Sequence, residues 1–195
     1  MKHDKVLEIF RSSGALLEGH FLLTSGLHSP NYFQCAQVLQ YPHHCTHLCT
    51  EISNAFKHID IDVVVSPAIG GIIVGQEVAR QLGKRAIFSE RENGVMTFRR
   101  GLSLSKGEKV LAVEDVITTG GSIRETIELC RHQGAEIVGA ACIVDRSAGK
   151  ADLGTPMHSV LQMQVTTYEP AGCPLCQQGL ELVKPGSRQN PSRTR

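Results

Sequence analysis

The run Val110-Leu111-Ala112-Val113-Glu114-Asp115-Val116-Ile117-Thr118-Thr119-Gly120-Gly121-Ser122 constrains this chain more than any other stretch. An apolar strand runs into two adjacent carboxylates, then into a short loop of hydroxyls and glycines. The next segment, Ile123-Arg124-Glu125-Thr126-Ile127-Glu128-Leu129-Cys130, spaces its apolar residues as a helix does. Such a strand–loop–helix unit brings free backbone N–H groups and the positive end of a helix dipole to one point, a seat for phosphate. Gly120 and Gly121 permit close backbone approach, and Ser122 is placed to cap the helix and to donate to the anion. Carboxylates beside that seat repel an anion unless they bind hydroxyls or a metal. The pattern therefore predicts a sugar phosphate accompanied by a divalent cation. The Gly-Lys-Ser/Thr ending of a Walker loop is missing, as is a Gly-x-Gly-x-x-Gly fingerprint, which disfavours nucleoside triphosphates and dinucleotides.

Around this unit, strand-like runs at 62–66, 85–89, 109–113 and 136–144 alternate with helical spacing at 43–56, 72–82 and 123–130. A first helix is expected at 6–12, and a hairpin-like stretch follows it. The fold class is α/β: a mostly parallel sheet flanked by helices, with a small N-terminal hood and a flexible hairpin loop. Ligands in such sheets bind at the carboxyl ends of strands. A second glycine loop, Ser66-Pro67-Ala68-Ile69-Gly70-Gly71, falls at such an end and offers a second set of close-approach amides.

A chain of 195 residues suits one domain, expected over 1–188, with a polar tail at 189–195. The formal net charge of +1 gives no bulk electrostatic case for nucleic acid or a membrane surface, so neither is an expected partner. The polar start lacks an apolar signal core and no apolar run reaches membrane-spanning length, so a cytoplasmic setting is expected. The seven cysteines are an odd set without a secretory signal and read as reduced thiols.

Three further constellations carry chemistry. Arg91, Arg99 and Arg100 surround an Asn93-Gly94 turn. They form either a solvated hairpin or a mobile basic hood that closes over an anionic leaving group. Arg146 follows Asp145 at a strand's carboxyl edge, where its fork suits a carboxylate. Cys173-Pro174-Leu175-Cys176 admits a structural metal, a reversible disulfide or plain packing. A zinc site needs four ligands. The stretch 168–188 has no histidine to complete one, and His43, His44, Cys45, His47 and Cys49 spread around a helix, so no protein-ligated metal is predicted.

The 110–122 segment resembles the ribose-phosphate signature of type I phosphoribosyltransferases. Residues 19–33 narrow the match. Gly19-His20-Phe21-Leu22-Leu23-Thr24-Ser25-Gly26-Leu27-His28-Ser29-Pro30-Asn31-Tyr32-Phe33 is similar to a stretch of the orotate phosphoribosyltransferases, in which Ser-Gly-x-x-Ser-Pro precedes paired aromatics. The Cys-Pro-Leu-Cys segment is similar to one in a bacterial branch of that family. The resemblance spans about residues 14–188. It implies orotate and phosphoribosyl pyrophosphate as substrates, Mg2+ as cofactor and a homodimer, in pyrimidine biosynthesis. It implies that Glu114 and Asp115 hold the ribose hydroxyls and that Val116, Ile117, Thr118, Thr119, Gly120, Gly121 and Ser122 surround the 5′-phosphate. Orotate falls to Thr118, Arg146, Tyr32 and Phe33. Arg91 joins Glu114 and Asp115 as a catalytic residue, its hood reaching into the partner's site. Three departures stand out: Thr24 and Gly70 occupy positions where many members carry lysine, and the hood is arginine-based. The rival readings are a purine or uracil phosphoribosyltransferase and a non-catalytic regulator of the same fold.

Overall fold

The computed structural model describes residues 3–23, 25–164 and 166–185; Thr24 and the tail expected at 189–195 lie outside them. Helix α1 (His3–Ser12) buries Val6, Ile9 and Phe10. It leads into an antiparallel pair, β1 (Leu16–Leu22) and β2 (His28–Phe33), which stands apart from the main sheet. The short α2 (Cys35–Leu39) and then α3 (Pro42–Phe56) follow, α3 with proline in its first turn, where a missing N–H costs nothing.

The remaining elements are β3 (Val63–Pro67), α4 (Gly70–Leu82), β4 (Arg85–Glu92), β5 (Val95–Thr97), β6 (Lys109–Ile117), α5 (Gly121–His132), β7 (Glu136–Asp145), β8 (Met157–Gln162) and α6 (Pro174–Gln177). The main sheet has six strands in the order β5-β4-β3-β6-β7-β8. Every neighbouring pair is parallel except the β4–β5 hairpin. That hairpin turns on Asn93 and Gly94, both with positive φ (52° and 84°), as a two-residue loop between twisted strands requires.

Central strands in such a sheet are covered on both faces, so they read as continuous apolar runs rather than alternating ones. Val63, Val64 and Val65 on β3, and Val110 through Val113 on β6, are fully buried. One face packs Leu111 and Val113 with Phe10, Leu48, Ile52 and Val74 from α1, α3 and α4. The other packs Ala112, Ile117 and Cys142 with Ile123 and Ile127 of α5. β8 is a strand without a continuous apolar run to announce it: Met157, His158, Ser159 and Val160 are only half-buried at the sheet edge. The strand expected at 109–113 is longer than its apolar run: β6 continues through the two carboxylates to Ile117. No helix among the described residues is long and apolar enough to cross a membrane.

Helix α4 lies directly on the sheet. A Cβ added at Gly75 would stand 2.8 Å from Ser66 Oγ and 3.1 Å from Ser66 Cβ. Gly75→Ala should therefore overpack the α4–β3 contact and cost about 1–3 kcal/mol in denaturant unfolding. Gly172→Ala, where no atom lies within 4 Å, should leave the midpoint unchanged.

Candidate active site

Strands β3 and β6 are neighbours, yet the chain leaves β3 toward β4 on one side and β6 toward β7 on the other. The crevice beyond their carboxyl ends is the switch point at which open α/β sheets bind ligands. Two helices begin there. Among the described residues, neither α4 nor α5 has a side chain capping its N-terminus; their N-cap positions are Ile69 and Gly120. Ser122 thus does not cap α5, as the sequence suggested; it lies within the first turn and Gly120, at φ 78°, takes the cap position. The first-turn amides of both helices stay available to anions. The two loops also touch. A Cβ on Gly70 would meet the Asp115 carboxylate at 2.5 Å, so a side chain at this position requires Asp115 to move.

Glu114, Asp115 and Val116 are half-buried at the rim, Thr118 and Thr119 are exposed, and Ile117 is fully buried among core residues. Ile117 contributes no side chain to the site, and its carbonyl accepts the Arg146 amide N–H at 2.8 Å. Burial pushes the Glu114 carboxyl up to about 8, with the neighbouring Asp115 charge adding to the effect. Burial also raises Asp115, against the backbone N–H of Val116 that stabilises its charge. Both carboxyls therefore hold a proton more readily than they would in water.

Beside this crevice lies a cleft of about 630 Å³, lined by Leu23, Ser25, Tyr32, Thr118, Thr119, Arg146 and Thr167. Asp145, wholly buried, accepts the Ser147 and Gly149 amides at 2.8 and 2.9 Å and so builds the turn that presents Arg146. The Arg146 Nε is buried and has no hydrogen-bond partner among the described residues, and burial lowers the guanidinium pKa. An unsatisfied charged donor at a cleft wall costs free energy until an acceptor arrives. The two aromatics part company. Tyr32 lines the cleft, whereas Phe33 is buried and meets Phe10 edge-on at 5.9 Å. Successive strand residues point to opposite faces, so the pair could not flank one ring together.

The hairpin arginines are engaged elsewhere. Arg91 pairs with Glu125 of α5 at 2.7 Å, Arg99 with Glu92 at 3.2 Å and Arg100 with Glu90 at 3.1 Å. The described lining of the cleft contains none of the three. Within one chain, Tyr32, Thr118, Thr119 and Arg146 line one cleft, Glu114 and Asp115 lie on the strand that leads into the Thr118–Thr119 loop, and Arg91 is left outside.

A second constellation had no local signal. His20, His28, Cys173 and Cys176 converge, their candidate ligand atoms all within 4.8 Å of one another. The histidines sit about 150 positions from the cysteines, so scanning near Cys173 could not find them; the trace was two histidines in a strand pair otherwise rich in apolar residues. His43, His44 and His47 do not join this group.

The Phosphoribosyl transferase domain model matches residues 35–175. The chain is 56% identical over 189 residues to an orotate phosphoribosyltransferase of Desulforamulus reducens, covering 97% of this chain and 99% of that one. It is 55% identical to one from Chlorobium phaeobacteroides, covering 97% and 98%. Among solved structures, orotate phosphoribosyltransferase from Aeropyrum pernix superposes with a TM-score of 0.70 at 26% identity, covering 82% of this chain and 94% of that one. Adenine phosphoribosyltransferase from Rhodothermus marinus, at 21% identity and a TM-score of 0.65, shares the fold. With the switch-point crevice, the acidic strand end and these full-length likenesses, the chain belongs to the phosphoribosyltransferase family and, within it, to the orotate phosphoribosyltransferases.

Proposed function

We propose that the protein transfers the phosphoribosyl group of phosphoribosyl pyrophosphate to orotate, releasing pyrophosphate and forming orotidine 5′-monophosphate, in the cytoplasm. The observation that carries this reading is Arg146, which lines a cleft next to two uncapped helix N-termini and whose buried Nε has no hydrogen-bond partner among the described residues. Orotate presents a ring carboxylate that such a donor binds; adenine and guanine have none. Tyr32 and Thr118 flank the same cleft and bound the ring. The α5 terminus and the hydroxyls of Thr118, Thr119 and Ser122 take the 5′-phosphate, the α4 terminus the pyrophosphate, and Glu114 and Asp115 the ribose 2′ and 3′ hydroxyls. The anomeric carbon gains positive character as pyrophosphate departs, so positioning and charge neutralisation supply most of the catalysis.

Mg2+ belongs to this reading as a companion of the substrate. Oxygen donors suit it, and among the described residues no third His, Cys, Asp or Glu joins Glu114 and Asp115 closely enough to form a cage. The ion would be held by pyrophosphate and ribose oxygens with these carboxylates nearby, supplying charge neutralisation of the leaving group. A homodimer is supported by an apolar hollow of about 350 Å³ lined by Leu39, Pro42, Ile72 and Ile73, next to the exposed Tyr41 and Ile69.

Turnover with phosphoribosyl pyrophosphate and Mg2+ against orotate, uracil, adenine, guanine and hypoxanthine tests the reading. Orotate should be the substrate used. In the same assay Arg146→Ala should raise the orotate KM by one to two decades, about 1.5–3 kcal/mol, and leave that of phosphoribosyl pyrophosphate nearly unchanged. Equal losses for both substrates would instead make Arg146 a structural residue.

The raised Glu114 pKa has a sign that can be read in unfolding. Its folded value, about 8, lies above the value near 4.5 of an unperturbed glutamate, so the native state holds the proton more tightly. Its contribution to stability is complete below about pH 4.5 and is lost as pH rises through 8. Glu114→Gln should therefore flatten the decline in Tm of the ligand-free protein between pH 5 and about 8. Parallel Tm profiles for the two proteins would show that Glu114 is ionised throughout.

The hood reading predicts action across the dimer. Arg91→Ala should lower turnover at least about tenfold, yet shift Tm little, because an exposed ion pair contributes at most about 1 kcal/mol. Mixed in equal amounts with Asp115→Asn, it should recover about a quarter of wild-type activity, since half of the dimers then carry one complete site. No recovery, with subunit exchange verified by mass, would confine each hood to its own chain.

A further inference from the structure

We propose that His20, His28, Cys173 and Cys176 form a structural zinc site that clamps the N-terminal strand pair to the C-terminal segment. Nothing in the phosphoribosyl transfer requires these residues. His20 lies on β1, His28 opens β2, Cys173 precedes α6 and Cys176 lies within it. The first three are buried and Cys176 is exposed, which gives an ion a way in from solvent.

Four of the six separations are near those of one tetrahedral ion, and all six lie within 4.8 Å. His20 Nε2 lies 3.6 Å from Cys173 Sγ and 3.7 Å from Cys176 Sγ, and His28 Nδ1 lies 3.3 Å from Cys176 Sγ. With Zn–S of about 2.3 Å and Zn–N of about 2.0–2.1 Å, a tetrahedral centre separates sulfur from nitrogen by about 3.5 Å and two nitrogens by about 3.3 Å. The two ring nitrogens stand 2.9 Å apart, so they open by about 0.4 Å when the ion enters.

Hydrogen bonding gives an independent argument. His20 Nδ1 lies 2.9 Å from the Leu180 carbonyl oxygen, which can only accept, so Nδ1 carries the proton. A neutral His20 then presents one lone pair on Nε2, and three groups crowd it: His28 Nδ1 and two thiols. One lone pair cannot accept from all three groups at once. A dication bound to two thiolates and two neutral imidazoles satisfies all four groups and leaves no net charge, with two protons released from the thiols. The Leu180 carbonyl fixes the tautomer that directs Nε2 at the metal. Two sulfurs and two nitrogens in tetrahedral reach select zinc over magnesium or calcium.

The clamp sits where the cleft needs support. His20 and His28 bracket the turn that carries Leu23 and Ser25, both cleft-lining. The C-terminal segment pairs with this turn's strands through Leu22 N–H to Val183 C=O at 2.9 Å and Tyr168 N–H to His28 C=O at 2.8 Å. Thr167, next to Tyr168, lines the cleft as well.

The test uses the full chain purified without chelator and under reducing conditions. Elemental analysis should find about one zinc per chain, and Co2+ in its place should give tetrahedral d–d bands with a thiolate-to-cobalt charge-transfer band. Cys176→Ser changes an exposed residue, should fold, and should lose at least about tenfold in Zn2+ affinity together with that charge-transfer intensity. On the unaltered chain, removing the ion with a chelator should lower Tm by about 4 °C or more and re-adding Zn2+ should restore it. No bound metal after equilibration with excess Zn2+, equal binding by Cys176→Ser, or a quantitative Cys173–Cys176 disulfide in the reduced preparation would each overturn the proposal. None of these readouts involves orotate turnover, so failure of the zinc site and failure of the catalytic reading remain distinct.

Discussion

The closeness of α4 to β3 and β6 is the constraint on which the site depends. Gly71 would place a Cβ 3.2 Å from Ser66 Cβ and 3.4 Å from the Val113 carbonyl, and Gly75 meets Ser66 more closely still. Only glycine lets the helix settle that far into the sheet. The consequence appears one turn earlier, where Gly70 lies against Asp115. Two anion-receptive helix ends and two carboxylates are thereby held within one crevice. Each helix follows its strand after a connection of only two or three residues, so the sheet fixes where both helix ends lie.

That arrangement is electrostatically costly when empty. Glu114 is driven toward its neutral form by burial and by Asp115, while Arg146 loses basicity in its own half-buried setting. The opposite signs belong to opposite ends of the proposed substrate pair. In the proposed function the carboxyls would meet sugar hydroxyls and the guanidinium a carboxylate, so each ligand would relieve the group it meets. The fold spends stability on this preorganisation, as functional sites commonly do.

The local features of this design were legible in the sequence because they are written in short range. β3, β6, β7, both glycine loops and the Asn93-Gly94 turn follow from apolar runs and turn chemistry. The failures have physical causes. Glu114 and Asp115 looked like a strand's end because carboxylates disfavour sheets, but the sheet carried them anyway. Phe33 looked like a partner of Tyr32, although strand alternation alone sends it to the core. For the arginines of 91–100 the sequence leaves a solvated hairpin and a basic hood both open, and their ion pairs to Glu90, Glu92 and Glu125 become visible only in space. His20 and His28 meet Cys173 and Cys176 only through tertiary pairing of the chain's two ends, which no window of sequence displays.

The two halves of the site differ in how they are held. In the proposed reading, the half that takes phosphate sits on a six-stranded sheet covered on both faces and the half that takes the base lies beside β1 and β2. The base half leans on β1 and β2, an isolated two-stranded pair of the kind that is marginally stable alone in water. Leu23 and Ser25 between those strands line the cleft, so movement of the strand pair would loosen the wall they form. Backbone bridges to residues 168 and 183 supply part of the restraint, but they join segments far apart in sequence and pay the full entropy of loop closure. A cross-link at that junction orders both segments at once, and the four residues able to form it stand at the places where the strand pair and the C-terminal segment meet. The proposed zinc thus answers a mechanical need that the geometry of the cleft creates.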